Sequence, residues 1–530
     1  MQLNYNKRQT VKKMKIKHIL LFVVLLICGS LSAQDHYPWS SSVYPYNMAF
    51  RVQILIDGVE QTTSDIEVAA FNGSICTNSS RVKSFTSSNY YRANMTIKGE
   101  SAYAITFKLY NHATEEELLY YTLTSPEGTQ LDGINWAQGT ASTYANPYVL
   151  NFQHTNTLPI AHYANANDGW YLIASPLAAA TAPTSVGSMT SNNYDLFYFD
   201  QTKEKEWVNY KENEGNVGAN FDLVPGKGYL YANSNDVILQ FVGAPYNNDN
   251  LQVTLVSDAS SPHLKGWNLI GNSYTTPKSL SGISYYRMNP ETHADLIAGT
   301  GNIAGMEGVF VYTETDGQVI GFGAPSTKRA DEENRVALNL LNNENKTLDR
   351  IIVGFDERTE LPKYYMKEST TVIYVSQPDR DYAVVQGSAT NVFPVSFKTE
   401  HFGTYTLSAD LGGASVSYMH LIDKVTGADV DMLLEGEYSF IGAPVDRTDR
   451  FILRLGYSGN FKDDDNNFAY QNGTDLVVCG EGTLQVFDIM GRFVNSQEIH
   501  GVQTIPALPS GVYIFRMVGE EIQTQKIYVR

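Results

Sequence analysis

Three sequence blocks occur twice, in the same order, between residues 160 and 327, and this duplication constrains the fold more than any other feature. Gly169-Trp-Tyr-Leu-Ile173 returns as Gly266-Trp-Asn-Leu-Ile270. Gly226-Lys-Gly-Tyr-Leu-Tyr231 returns loosely as Met306-Glu-Gly-Val-Phe-Val311, and Phe241-Val-Gly-Ala-Pro245 returns as Gly321-Phe-Gly-Ala-Pro325. The blocks are short, β-prone and aromatic, so each copy reads as a set of strands that buries a core shared with its twin. Trp170 and Trp267 stand at one repeated position. A Trp kept at a structural position reads as core rather than as an exposed sugar-stacking surface.

Period-two alternation extends the β reading to the rest of the chain. Phe50, Val52, Ile54 and Ile56 alternate with Arg51, Gln53 and Asp57, and Asp57-Gly58 is a hairpin turn. Tyr103, Ile105, Phe107 and Leu109 form a second alternating run, and Leu118 to Leu123 reads as another strand, with two tyrosines. Beyond the charged linker 328–335, strands at Val336–Leu340, Arg350–Phe355, Thr371–Val375, Val392–Phe397, Thr404–Leu407 and Phe451–Leu455 suggest a sandwich. With 530 residues the chain is long enough for several cores. The fold class expected is all-β, with tandem β-sandwich modules around the internal duplicated β repeat. The boundaries expected are a β-sandwich module at 34–157, the repeat at 158–329 and a spacer sandwich at 330–458.

The net charge of −18 argues against a nucleic-acid partner, because phosphate recognition needs a basic surface. At the N-terminus, Lys12, Lys13, Lys15 and Lys17 precede an apolar run from Ile19 to Ile27, and Leu31-Ser-Ala33 ends in a small residue. This is the pattern of a secretory signal peptide over 1–33, cleaved between Ala33 and Gln34, with Met14 an alternative start. The run is too short to remain as a membrane helix, so no transmembrane segment is expected after cleavage. Ile27 before Cys28 disfavours a lipoprotein signal. Cys76 and Cys479 then remain, either as two lone thiols or as one long-range disulfide.

The signatures of chemistry are missing from the sequence. There is no His-Glu-x-x-His, no Gly-x-Ser-x-Gly, no Cys-x-x-Cys and no phosphate loop. Gly226-Lys-Gly228 lacks the spacing and the following helix that a phosphate loop requires, and Gly299-Thr-Gly301 lacks a βαβ context, so both read as turns. Glu115-Glu116-Glu117 reads as a solvated hairpin tip rather than a cation site, and Asp463-Asp464-Asp465 as an acidic linker rather than a calcium loop. No catalytic residue, metal ligand or cofactor is expected, and the chain reads as a non-enzyme. A carboxylate pair set only by the fold stays open. Trp136 and Trp207 lie outside the repeated blocks and are the candidates for exposed aromatics that stack on a ligand.

The end of the chain carries three motifs in order. Gly482-Thr-Leu-Gln-Val-Phe-Asp-Ile-Met-Gly-Arg492 contains Asp488, Gly491 and Arg492. Leu508-Pro-Ser-Gly-Val-Tyr513 contains Leu508, Gly511 and Tyr513. Gln525-Lys-Ile-Tyr-Val-Arg530 contains Lys526 and Arg530. They read as three strands, the middle one apolar and buried on both faces, with Gly491 and Gly511 at turns. Together these motifs resemble the C-terminal sorting domain of the type IX secretion system of Bacteroidetes. The resemblance covers roughly the last seventy residues, taken as 459–530, although Phe468-Ala-Tyr-Gln-Asn-Gly473 stands where many such domains begin with Pro-Asn-Pro. The segment from Tyr382 through Asp423-Lys-x-Thr-Gly427 to Arg450 resembles the sandwich that often precedes such domains as a spacer. The stretch Tyr44-Pro-Tyr-Asn-Met48 with Ile66 to Cys76 looks like N-terminal modules of Bacteroidetes surface proteins.

The resemblance implies an Ig-like sorting domain, export through the periplasm to the cell surface or medium, and the secretion machinery and its sortase as partners. The expected function is a cell-surface or secreted binding or adhesion protein with an extracellular glycan or protein ligand. The alternative is a secreted hydrolase acting on polysaccharide or peptide.

Overall fold

A computed structural model of the chain describes residues 35–39, 45–85, 90–162, 168–189, 193–211, 220–299, 301–325, 334–356, 358–366, 371–387, 390–457, 468–472, 475–519 and 522–529. The signal segment with its Ala33–Gln34 junction, Cys28, residues 328–333, the acidic stretch 458–467 and Arg530 lie outside them. The fold is all-β, and among the described residues there is one short α-helix, at Met432–Glu435. No helix among the described residues is long and apolar enough to cross a membrane. The chain divides into two compact units, one ending at Thr155 and one beginning at Asn156.

The first unit is a twelve-stranded sheet folded over one core. Its central strand, Tyr46–Ile56, buries Met48, Phe50, Val52 and Ile54 on one face, as the alternation predicts. It pairs antiparallel with Tyr90–Gly99 and parallel with Tyr148–Gln153. Asp57 and Gly58 both adopt left-handed backbone, φ 49° and 82°, the geometry a two-residue hairpin turn requires. The run at Leu118 to Leu123 is two strands, Glu116–Leu118 and Tyr120–Thr124, which pair with different neighbours. Cys76 is a free thiol.

In the second unit the two repeats fold alike. The first forms a four-stranded sheet in the order Tyr171–Ala174, Gly228–Asn233, Tyr194–Phe199, Trp207–Asn209. The second repeats that order with Trp267–Gly271, Gly308–Tyr312, Tyr285–Met288 and Leu296–Gly299. Each copy adds a two-stranded sheet, Thr155–Ile160 with Val237–Val242 and Leu251–Thr254 with Val319–Phe322. Each also closes a core of its own.

An eleven-stranded sheet from Arg335 to Tyr457 wraps a further core. Alternate residues of its strands serve two cores. Val336 and Leu338 point into its own, whereas Ala337, Ile352 and Val384 join Trp267, Tyr286, Phe310 and Tyr364 in a cluster shared with the repeats. The near-continuous apolar runs in these strands follow from that double burial. Arg450 is buried, donating Nη2 to Asp423 Oδ2 at 2.8 Å and Nε to Asp423 Oδ1 at 3.1 Å, and its guanidinium lies over Phe440 and Phe451.

The C-terminal strands are Ala469–Asn472, Asp475–Asp488, Phe493–Ile505, Gly511–Val518 and Ile522–Val529. The sequence reading omitted the long strand Phe493–Ile505. Its polar residues, Asn495, Gln497 and Glu498 among them, hide the pairing it makes with the partner strand from Leu476 to Phe487. The Gly511–Val518 strand is not buried on both faces. Tyr513, Phe515 and Met517 face the core, whereas Val512, Ile514 and Val518 are half-exposed, because the apolar core here lies on one side only.

Candidate binding groove between the repeats

The two repeats meet reciprocally. Ile173 forms a β-bridge with Glu307, and its counterpart Ile270 forms one with Lys227. Ala174 N–H donates to Met306 O at 2.8 Å, and Gly271 N–H donates to Gly226 O at 2.9 Å. Pairing registers fix the equivalence. Gly228 lies opposite Ala174 and Gly308 opposite Gly271, so Lys227 and Glu307 are counterparts. Leu230 pairs with Phe197 and Phe310 with Tyr286, so Tyr198 and Arg287 are counterparts too.

The glycines in the repeated blocks are set by this contact. A Cβ on Gly228 would sit 2.6 Å from Ile270 O, and one on Gly271 would sit 2.5 Å from Lys227 O. Gly226 and Met306 precede Lys227 and Glu307 in left-handed backbone, φ 80° and 62°. The turn read from Gly226-Lys-Gly228 is therefore also the seam between the copies.

The counterpart pairs carry different chemistry. In the second copy Arg287 donates Nε to Glu307 Oε1 at 2.9 Å and Nη2 to Glu307 Oε2 at 2.6 Å, and Glu307 also accepts Ala304 N–H at 2.7 Å. Burial alone would lower the Arg287 pKa, but the Glu307 hydrogen bonds outweigh it and hold the guanidinium firmly charged. In the first copy the Lys227 ammonium lies over the Tyr198 ring, 3.9 Å from its centroid. No carboxylate among the described residues is within ion-pair distance of it. Burial lowers the Lys227 pKa below the ordinary lysine value, with Asp200 partly opposing.

Lys227 opens onto a cavity of about 590 Å³ walled by both copies. Asp200, Thr202 and Lys227 line it from the first, and Gln252, Thr254 and Trp267 from the second. Buried Gln201 braces the wall, donating Nε2 to Val256 O at 2.8 Å and Trp267 O at 2.9 Å and accepting Gly266 N–H at 2.9 Å. The site thus offers one cation, one carboxylate and several neutral hydrogen-bonding groups on a rigid floor.

The aromatic candidates lie elsewhere. Trp136 is buried, its Nε1 donating to Ile97 O at 3.0 Å while its ring covers Gly99, so it packs the first unit's core and presents no face to a ligand. Trp207 pairs with Phe199 as Leu296 pairs with Met288, which makes it a counterpart of buried Leu296. It is half-buried, edge-on to Phe199 at 5.5 Å and Phe310 at 5.6 Å. Packing corrects the expectation of an exposed platform for Trp136, whereas Trp207 keeps part of its ring exposed. The acidic tip is engaged as well, with Glu116 3.3 Å from His154 and Glu117 accepting the Tyr37 hydroxyl at 2.7 Å.

The terminal motif residues lie in one tight turn, in two paired strands and in the loop that leads into them. Asp488 Oδ1 accepts the N–H groups of Met490 and Arg492, both at 2.9 Å, and Oδ2 accepts Arg492 Nε at 2.7 Å. Gly491 supplies φ 77°. Tyr513 donates its hydroxyl to Pro509 O at 2.9 Å, and Leu508 packs on the local core. Gly511 is not at a positive-φ turn but opens its strand opposite Val529. Lys526 is exposed, with Nζ over Tyr528.

Lys227 was dismissed in sequence as part of a turn. Its signal was the Lys/Glu difference between two otherwise matching blocks. The chain matches no protein-family model and no curated protein.

Proposed function

We propose that this chain is an exported cell-surface or secreted binding protein of the adhesion type, delivered by a type IX secretion system through residues 459–530. One observation carries the binding half: both repeats line a half-open cavity of about 590 Å³ with a half-buried lysine that no carboxylate among the described residues reaches at ion-pair distance. An extracellular glycan or protein ligand fits a preformed groove of that size. The export half rests on the resemblance of the terminal motifs. It is supported by their place in one turn and two paired strands around a separate core. The secretion machinery and its sortase are the partners on this reading, and Asp488, Gly491, Arg492, Leu508, Gly511, Tyr513 and Lys526 belong to the delivery signal.

Cell fractionation tests it. The full chain is expected at the surface or in the medium, and a chain lacking 459–530 is expected in the periplasm. Surface delivery of the truncated chain overturns the export reading. For binding, the mature chain is screened on glycan and protein arrays. Retention of at least one ligand is expected, and turnover of a bound ligand would replace adhesion with hydrolysis.

A further inference from the structure

The groove's chemistry narrows the ligand. The second repeat shows what its framework does when the position is satisfied internally, since Glu307 and Arg287 neutralise each other through two hydrogen bonds. In the first repeat the same two positions hold Lys227 and Tyr198. The aromatic face steadies the ammonium but supplies no charge to match it. The two positions thus satisfy each other in the second copy but not in the first, where no carboxylate among the described residues reaches Lys227 at ion-pair distance and Asp200 opposes its burial only in part; a carboxylate entering the groove would supply the missing charge.

The rest of the wall sets what else that ligand carries. Thr202, Gln252 and Thr254 are neutral and exposed; Asp200 Oδ1 already accepts the Thr202 N–H at 3.0 Å and its hydroxyl at 2.7 Å, so Asp200 Oδ2 is the oxygen left to accept from ligand hydroxyl groups. One cation beside one carboxylate suits a ligand with a single acid per unit and several hydroxyls. A polyacidic peptide would meet Asp200 and a chain of net charge −18 with only one lysine to offset them. We infer that the groove between the repeats binds a carboxylated saccharide, a uronic acid unit in a glycan, with Lys227 pairing its carboxylate and the opposite wall taking its hydroxyls. This rests on the binding reading above and names the ligand class of that site.

Calorimetry on the mature full-length chain tests it with three probes: trigalacturonate, its carboxyl-reduced counterpart, and a triglutamate peptide. Trigalacturonate is expected to bind, with affinity falling about tenfold or more in Lys227→Met and for the reduced sugar, the scale of a lost charge-assisted hydrogen bond. The double change Tyr198→Arg with Lys227→Glu installs the twin's pair, so it is expected to fold with an unchanged melting temperature and to abolish binding. Lys278→Met removes another lysine stacked on a tyrosine, outside the groove, and is expected to leave affinity unchanged. Equal binding of the reduced sugar, undiminished affinity in Lys227→Met, preference for triglutamate, or no binding of trigalacturonate each overturns the inference. An array ligand insensitive to Lys227→Met sinks this inference while leaving the binding reading standing, and fractionation reads export independently.

Discussion

Lys227 and Glu307 occupy the same place in the two repeats, each bridging to the counterpart isoleucine of the other copy, yet they carry opposite charge. A duplicated seam has thus diverged at one position. Glu307 is locked to Arg287 inside the second copy, and Lys227 faces a cavity from the first.

The ionisation of Lys227 gives groove and fold opposite responses to alkali. Burial holds its pKa below that of a free lysine, against a smaller contrary pull from Asp200. Between the lowered folded value and the ordinary one, the unfolded chain holds more protons, so this group makes the fold more stable as pH rises. Binding of a carboxylate needs the ammonium and should weaken as pH climbs through the lowered pKa. Titration calorimetry with trigalacturonate across the alkaline range, beside melting curves, reads both trends. Affinity that holds up to the ordinary lysine range would show that Lys227 is not the anchor.

The seam predicts which glycines resist a methyl group. Gly228→Ala and Gly271→Ala each drive a Cβ into a backbone carbonyl of the opposite copy at 2.6 and 2.5 Å. Each should cost about 1–3 kcal/mol, the usual range for overpacking. Gly323→Ala meets only Ser279 O at 3.8 Å and should be close to neutral. Urea unfolding midpoints compare the three, and equal midpoints would contradict the reciprocal contact.

Removing Arg450 should be far worse than removing its pair together. Arg450→Met leaves Asp423 buried with only the Tyr438 hydroxyl and Val425 N–H as donors, and should cost about 3–5 kcal/mol. Arg450→Met with Asp423→Leu should recover much of that loss, since no uncompensated charge remains fully buried; Asp446, which Arg450 also reaches at 3.2 Å, is part-exposed and stays in contact with water. Burial pushes the Asp423 pKa up, but hydrogen bonds led by Arg450 outweigh it and leave the carboxyl below its ordinary value. Its stabilisation is therefore present above the ordinary Asp pKa and is lost as pH falls through the folded one. Chemical unfolding at neutral and acid pH measures both effects.

The tryptophans should behave as packing residues. Trp136→Ala removes a buried ring and its bond to Ile97 O, and should cost about 3–5 kcal/mol. Trp207→Ala should cost less, because the ring is half-exposed, whereas Trp207→Leu, which installs its counterpart Leu296, should restore much of the loss. Calorimetric melting tests the order. Loss of ligand binding in either variant with unchanged stability would return them to the role of a stacking platform.

Local patterning made much of the architecture legible. The alternation from Met48 to Ile54 specified a half-buried strand, Asp57-Gly58 specified its turn, and the repeated blocks specified two like sheets. The Asp488-x-x-Gly491-Arg492 turn is equally local, since every bond in it closes within five residues. The strand Phe493–Ile505 escaped detection because its polar residues mask a pairing defined by its partner. The burial of Trp136 and the partial burial of Trp207 are not legible locally, because they are set by distant neighbours such as Ile97 and Phe310. The sequence by itself determined strand periodicity, turns and the duplication, all of which follow from backbone geometry over a few residues. Only the tertiary structure decided that the copies meet face to face, that their seam brings Lys227 onto a cavity, and that Arg287 neutralises Glu307, the counterpart of Lys227. Those contacts join residues tens of positions apart, and the hydrophobic burial that drives them is indifferent to sequence spacing.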